Sequence, residues 1–84
     1  MVLANGEILQ IFGIVIAIGK SDHYSISFEY DSEFGWVELR LWYSVSADDF
    51  YLKECIYSRY HTFAELISKL KEWTTIVVND RKVD

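Results

Sequence analysis

The first candidates for a nucleophile, a base or a zinc ligand in this 84-residue chain are its one cysteine and its two histidines, Cys55, His23 and His61. A cysteine nucleophile needs a histidine base and a third group that orients the base. Cys55 falls inside a strand-like run, where we expect a buried and inert thiol, and no third group is placed beside either histidine. Neither histidine stands at a zinc-ligand spacing from the cysteine.

The acidic and glycine residues carry no stronger catalytic signal. Asp48 and Asp49 would supply half of a carboxylate or metal site, but adjacent acids before a strand are typical of a solvated turn. Gly13 and Gly19 have neither the spacing nor the context of a phosphate-binding loop. We therefore predict that the protein is not an enzyme and uses no cofactor or metal. A single cysteine forms no intrachain disulfide, so stability must come from packing.

The charge distribution points to the kind of partner. Thirteen acids against eight bases give a net charge of −5, which disfavours nucleic acid as a partner because phosphates are bound mainly by Lys and Arg. No Lys or Arg occurs from residue 21 to residue 39, where five acids fall. An acidic patch attracts a basic partner and speeds the encounter. The five acids are Asp22, Glu29, Asp31, Glu33 and Glu38.

The run ILQIFGIVIAI, residues 8–18, is the most apolar part of the chain. Eleven residues are too few to span a bilayer, which needs about 20. The residues before it lack the basic start of a secretory signal, so we expect a cytoplasmic protein without a membrane partner. Gly13 and the β-branched residues favour a buried strand here. A buried helix is the alternative.

The remaining patterns predict one α+β domain over residues 1–84. Strand-like runs cover about 8–18, 23–30, 36–43 and 50–60. Thr62-Phe63-Ala64-Glu65 has the form of a capping box and begins an amphipathic helix. The β-branched residues 74–78 are an optional fifth, C-terminal strand. We expect a four-stranded antiparallel meander with this one helix packed on one face.

The alternation of side chains along each strand determines which residues share a face of the expected sheet. Pairing Tyr30 with Gly35 sets Phe28 opposite Val37, so that the apolar side chains of both strands share one face. It also sets Arg40 opposite Ser25. The same alternation in the fourth strand assigns three residues to the core: Phe50, Leu52 and Ile56.

The stretch WVELRLW, residues 36–42, then places two tryptophans on the opposite face, which would ordinarily be polar. That much apolar surface exceeds what a soluble monomer usually exposes. The N-terminal run as a helix, a second copy of the chain, or a different protein could cover it. Trp, Tyr and Arg are enriched at binding hot spots. The predicted contact residues on this face are Trp36, Glu38, Arg40, Trp42, Tyr51 and Tyr57.

These features lead to two hypotheses. The first is a non-catalytic protein-binding module, of a size and surface that suit small inhibitors and immunity-type or phage-encoded proteins. In it the acidic hairpin, with Glu29, Asp31 and Glu33, steers the face to a basic partner. The alternative is a self-associating structural protein whose aromatic face is a homodimer interface.

Overall fold

The computed structural model describes residues 2–82 and confirms the α+β class. Three strands form an antiparallel meander in the order β1-β2-β3. The predicted four-stranded sheet is wrong, because residues 8–18 lie in a helix and not in a strand. Residues 74–78 are also helical, so the optional fifth strand is wrong too. The elements are α1 (Asn5–Ile18), β1 (Tyr24–Asp31), β2 (Trp36–Ser46), β3 (Asp49–Tyr57) and α2 (Phe63–Lys82).

Helix α1 buries one stripe at helical spacing, made of Ile8, Ile11 and Ile18. Its first turn is held by Glu7, whose Oε1 accepts the N–H of Ala4 at 2.8 Å. A strand in this position would have needed apolar cover on two faces. The helix buries its inner stripe against the core, and that packing outweighs the β-propensity of isoleucine and valine.

Both helices pack on the same face of the sheet. Side chains from α1, α2 and the central strand join in one buried cluster, and α1 also contacts α2 directly. The sequence-based alternative of an N-terminal helix is confirmed, but its expected position on the second face of the sheet is wrong. The buried residues are Leu3, Ile8, Ile11, Ile18, Val37, Leu39, Leu41, Ile56, Leu66, Leu70, Trp73 and Val77.

The predicted capping box at the start of α2 is confirmed. The N–H of Thr62 donates to Glu65 Oε1 at 2.9 Å, and the N–H of Glu65 donates to Thr62 Oγ1 at 3.1 Å. The helix continues through residues 74–78 because its apolar stripe continues there. Trp73 and Val77 are both fully buried against the sheet layer.

The β1–β2 register differs from the predicted one by two residues. Phe28 lies opposite Leu39 and Tyr30 opposite Val37, so the predicted faces are right but the partners are wrong. The reason is Gly35, which has a φ of 73° and belongs to the turn, not to the ladder. The Asp31 carboxylate stabilises this turn by accepting the N–H of Glu33 at 2.9 Å.

Two carboxylates tie α2 to the sheet. Glu54 accepts the Trp73 indole N–H at 2.7 Å and pairs with Lys69 at 2.7 Å. Asp80 accepts the backbone N–H of His23 at 3.0 Å and contacts its ring Nδ1 at 2.9 Å. Hydrogen bonds from Lys69 and then Trp73 lower the pKa of Glu54. Hydrogen bonds from Ser21 and His23 lower the pKa of Asp80.

These two shifts predict an acid-sensitive fold. A carboxylate with a lowered pKa stabilises the folded state above its unfolded pKa, and that contribution is lost as the pH falls through the folded pKa. We therefore expect the free energy of unfolding to decrease below about pH 4. Urea denaturation at a series of pH values measures this.

The double variant Glu54→Gln with Asp80→Asn should flatten this pH dependence. Glu33→Gln with Asp48→Asn removes two carboxylates from exposed turns and is the matched control. Equal slopes in the two double variants would show that Glu54 and Asp80 are not responsible.

Candidate functional site

The sheet face opposite the helices is the candidate site, and we call it the open face. In β1 and β2 it is built by alternate residues whose neighbours Val37, Leu39 and Leu41 point into the core. Neither helix packs on this side, since the side chains of both helices join the core cluster on the other side. The open face consists of Ser25, Ser27, Glu29, Trp36, Glu38, Arg40, Trp42, Phe50, Leu52, Cys55 and Tyr57.

A β-bulge in β3 changes which side chains reach the open face. Leu41 lies opposite Glu54, but Trp42 lies opposite Leu52, so Lys53 has no partner across the strand. The extra residue reverses the faces to which the side chains of residues 50–52 point. Phe50 and Leu52 consequently lie on the open face, 57% and 48% exposed, and their predicted core positions are wrong.

The same bulge removes a predicted contact residue. Tyr51 lies opposite Tyr43, which shares the parity of Leu41 and therefore belongs to the helix-bearing side of the sheet. Tyr51 is thus the one predicted contact residue that sequence alternation placed on the wrong face of the sheet. Ile56 lies between the bulge and Tyr57, where the alternation is as predicted, and it is buried.

Trp42 anchors one end of the open face. Its indole N–H donates to Ser27 Oγ at 3.0 Å, and its ring meets Phe50 edge-on at 5.7 Å between centroids. These contacts fix the orientation of the ring before any partner binds. They border a shallow, mostly apolar depression of about 380 Å³ lined by Ser25, Ser27, Trp42, Ser44 and Phe50.

Trp36 anchors the other end, next to the hairpin. Phe34 stacks on it at 4.7 Å, Tyr57 meets it edge-on at 5.9 Å, and the Arg59 guanidinium lies 4.7 Å from its ring centroid. The adjoining depression of about 470 Å³ has three carboxylates and neither Lys nor Arg among its lining residues. They are Glu29, Tyr30, Asp31, Ser32, Trp36, Glu38 and Tyr57.

Arg40 lies between the two tryptophans and compensates a like-charge pair. The register sets Glu29 directly opposite Glu38, which is unfavourable unless a cation intervenes. Arg40 pairs with Glu38 at 2.9 Å and with Glu29 at 3.8 Å. Arg40 faces Ser27 and not Ser25, as a consequence of the two-residue difference in register.

Cys55 is exposed on the open face, so the prediction of a buried thiol is wrong. Its Sγ donates to Glu38 Oε1 at 3.3 Å. Partial burial and then Glu38 raise the pKa of the Cys55 thiol, which keeps it protonated and weakly nucleophilic. The two histidines are engaged elsewhere: His23 with Asp80, and His61 through Nδ1–H to the Tyr57 carbonyl at 3.0 Å.

The structure brings most of the predicted contact residues together. Trp36, Glu38, Arg40, Trp42 and Tyr57 share the open face with Glu29. Asp31 lines the acidic depression, and Glu33 lies exposed in the hairpin turn. Sequence reasoning missed the contributions of three residues. Phe34 packs on Trp36 from a turn, where alternation gives no information, and Phe50 and Leu52 depend on the bulge.

No protein-family model, no curated protein and no solved structure matches this chain. Within residues 2–82, no cluster of three His, Cys, Asp or Glu side chains could bind a metal ion. In the same range, no helix combines the length and the hydropathy that crossing a membrane requires.

The environment of Cys55 gives a chemical test of the open face. We expect iodoacetamide to alkylate the folded protein near pH 8 more slowly than the urea-unfolded chain, because the thiolate is the reacting form. Glu38→Gln should raise the rate severalfold, since it removes the carboxylate that disfavours the thiolate. Mass spectrometry of timed samples measures the rate.

Glu33→Gln is the control for this experiment, because it removes a nearby hairpin carboxylate that does not contact the thiol. An alkylation rate that is the same in Glu38→Gln and in the wild type would contradict the described contact between Glu38 and Cys55.

Proposed function

We propose that the chain is a non-catalytic protein-binding module whose open face binds a basic segment of a partner protein. One observation carries this proposal. Both helices pack on the same side of the sheet, so no helix among residues 2–82 covers the side that holds Trp36 and Trp42. An exposed aromatic surface of this kind is typical of protein–protein contact sites.

The two ends of the open face differ in chemistry and therefore define the partner segment. Trp36 and Trp42 are six residues apart on β2, which corresponds to roughly 20 Å along the strand. The Trp36 end is acidic and aromatic, whereas the Trp42 end is mostly apolar. The matching segment carries a Lys or Arg side chain at the first end and an aliphatic or aromatic side chain at the second.

Charge supports a basic partner. The carboxylates of Glu29, Asp31 and Glu38 surround the Trp36 depression, and Arg40 compensates only part of their charge. A cation that enters this depression meets these carboxylates beside the Trp36 and Tyr57 side chains that also line it. The net charge of −5 extends this attraction beyond the site and favours fast association.

The open face is also arranged before binding. The Trp42 indole is held by Ser27, and the Trp36 ring is packed against Phe34 and Tyr57. Side chains that are already fixed lose little entropy on binding, so more of the contact energy contributes to affinity. In the role we propose, the protein acts in the cytoplasm as a small inhibitor or immunity-type protein that covers a basic surface of its target.

A library of random displayed peptides, selected on the immobilised protein, tests the proposal directly. We expect the selected peptides to combine Lys or Arg with an aliphatic or aromatic residue. Trp36→Ala and Trp42→Ala should each weaken the selected peptides by roughly tenfold or more, as expected for a hot-spot aromatic. Isothermal titration calorimetry measures the affinities.

Charge steering is tested by association rates at increasing salt. Glu29→Lys should slow association and reduce its salt dependence, since screening acts on charges that are exposed to solvent. Glu72→Lys makes the same charge change on α2 and should slow association much less than Glu29→Lys. Leu9→Ala truncates an exposed side chain on α1 and should leave binding unchanged. Selected peptides without basic residues, or with full affinity for both tryptophan variants, would contradict the proposal.

A further inference from the structure

A second uncovered surface lies on the other layer of the molecule. The outward side of α1 is apolar, with Leu9 69%, Phe12 44% and Ile16 62% exposed. These residues recur at helical spacing, and Glu7 is the only charged residue in the whole helix. Gly13 lies between them, and a Cβ there would meet no atom within 4 Å, so the backbone is accessible to close packing. This side of α1 has the composition of a helix–helix contact.

Strand β1 is an edge strand that ends next to this stripe. The carbonyl of His23 accepts the N–H of Ser44, and the carbonyl of Asp31 accepts the N–H of Gly35. Odd-numbered residues of β1 therefore direct their backbone groups towards β2. The even-numbered residues Ile26, Phe28 and Tyr30 direct theirs towards the outer edge.

The charged residues of β1, Glu29 and Asp31, are odd-numbered, and the outer edge of the strand has no other common protection against pairing. The strand contains neither proline nor lysine, and its ladder with β2 is continuous. Exposed backbone donors and acceptors on such an edge are a template for another strand.

The helix stripe and the strand edge form one continuous surface, which we call the α1–β1 edge. Phe12 packs edge-on against Phe28 at 5.2 Å between ring centroids. An open groove of about 430 Å³ follows the junction of the two elements. It is lined by Asn5, Ile8, Leu9, Phe12, Phe28 and Tyr30.

We propose that a second copy of the chain covers the α1–β1 edge. The two β1 strands pair antiparallel across a twofold axis to make a continuous six-stranded sheet, and the two α1 helices pack against each other over it. A partner at this edge must supply a strand that pairs with β1 and an apolar helix that covers α1. The same edge of another copy supplies both, as a closed twofold contact requires. The open faces of the two copies stay free for the partner.

The absence of charge on the outer stripe of α1 allows a second copy to bind there. Two chains of net charge −5 repel each other, so they associate most readily through a surface without charge, and the stripe on α1 is one. A twofold axis at Ser27 or Phe28 sets Glu29 opposite a serine of the other copy and avoids a like-charge pair. Anionic lipid is disfavoured, because α1 contains no Lys or Arg to attract it.

The available area is also adequate. The exposed parts of the large side chains at this edge come to roughly 500 Å² per copy, and the paired strand backbone adds to this, against about 800 Å² per partner in a typical specific interface.

Sedimentation velocity over a micromolar concentration series tests the proposal. We expect the wild type to be a dimer. Leu9→Glu with Ile16→Glu should raise the dissociation constant by roughly a hundredfold or more, because four carboxylates would enter an apolar contact. Both positions are exposed, so the variant should keep the circular dichroism spectrum of the wild type. Phe50→Glu with Leu52→Glu makes the same change on the open face and should leave the dimer intact.

Hydrogen exchange then tests the strand pairing. The amides of Ile26, Phe28 and Tyr30 should exchange slowly in the dimer and quickly in the Leu9→Glu/Ile16→Glu monomer, whereas the odd-numbered amides of β1 should be protected in both. Three outcomes would overturn the proposal: a monomeric wild type, including one that binds phosphatidylcholine vesicles; a dimer that only the open-face variant dissociates; or fast exchange of the even-numbered amides in the dimer.

Discussion

The alternation along β2 is the constraint on which the rest of the structure depends. Val37, Leu39 and Leu41 are buried beneath both helices, so the residues between them must point to the other side of the sheet. Because the chain places its two helices in one layer, Trp36 and Trp42 have no helix over them. The core and the candidate site are thus two consequences of the same strand, and a change of register would disrupt both.

Polar side chains satisfy the hydrogen-bond donors and charges that apolar packing cannot satisfy. Trp73 is fully buried, yet its indole N–H reaches the Glu54 carboxylate, so no donor is lost. On the open face, Arg40 plays the corresponding role between Glu29 and Glu38. Glu54 therefore allows the Trp73 indole to be buried, and Arg40 allows Glu29 and Glu38 to lie opposite each other. These contacts also limit how far the neighbouring rings can move.

The features that sequence reasoning recovered are those with a strong local signal. The faces of β1 and β2 follow from two-residue alternation, and the start of α2 follows from the capping box of Thr62 and Glu65. Helix α1 was only the second choice, after a strand, because Leu9, Phe12 and Ile16 make its outer side as apolar as its inner side. A helical period is visible only when the two sides differ, so the uncovered stripe concealed the helix that carries it.

The remaining misses depend on geometry that the residue pattern does not encode. The predicted β1–β2 register was wrong by two residues because Gly35 belongs to the turn. The face of Phe50, Tyr51 and Leu52 depends on one extra residue in β3, and no glycine marks that position. Residues 50–52 form the β3 side of the candidate site. The positions of the two tryptophans on β2 were therefore predictable, whereas the β3 side was not.

The bulge at Lys53 has a consequence for how this surface can evolve. Deleting that single residue would restore the regular alternation of β3 and leave Leu52 opposite Trp42 and Phe50 opposite Ser44. Tyr51 would keep its place on the helix-bearing side. One codon could therefore be lost from the gene at this position without changing which side chains of β3 meet the partner. Related chains that are one residue shorter here would present the same binding chemistry on the same scaffold.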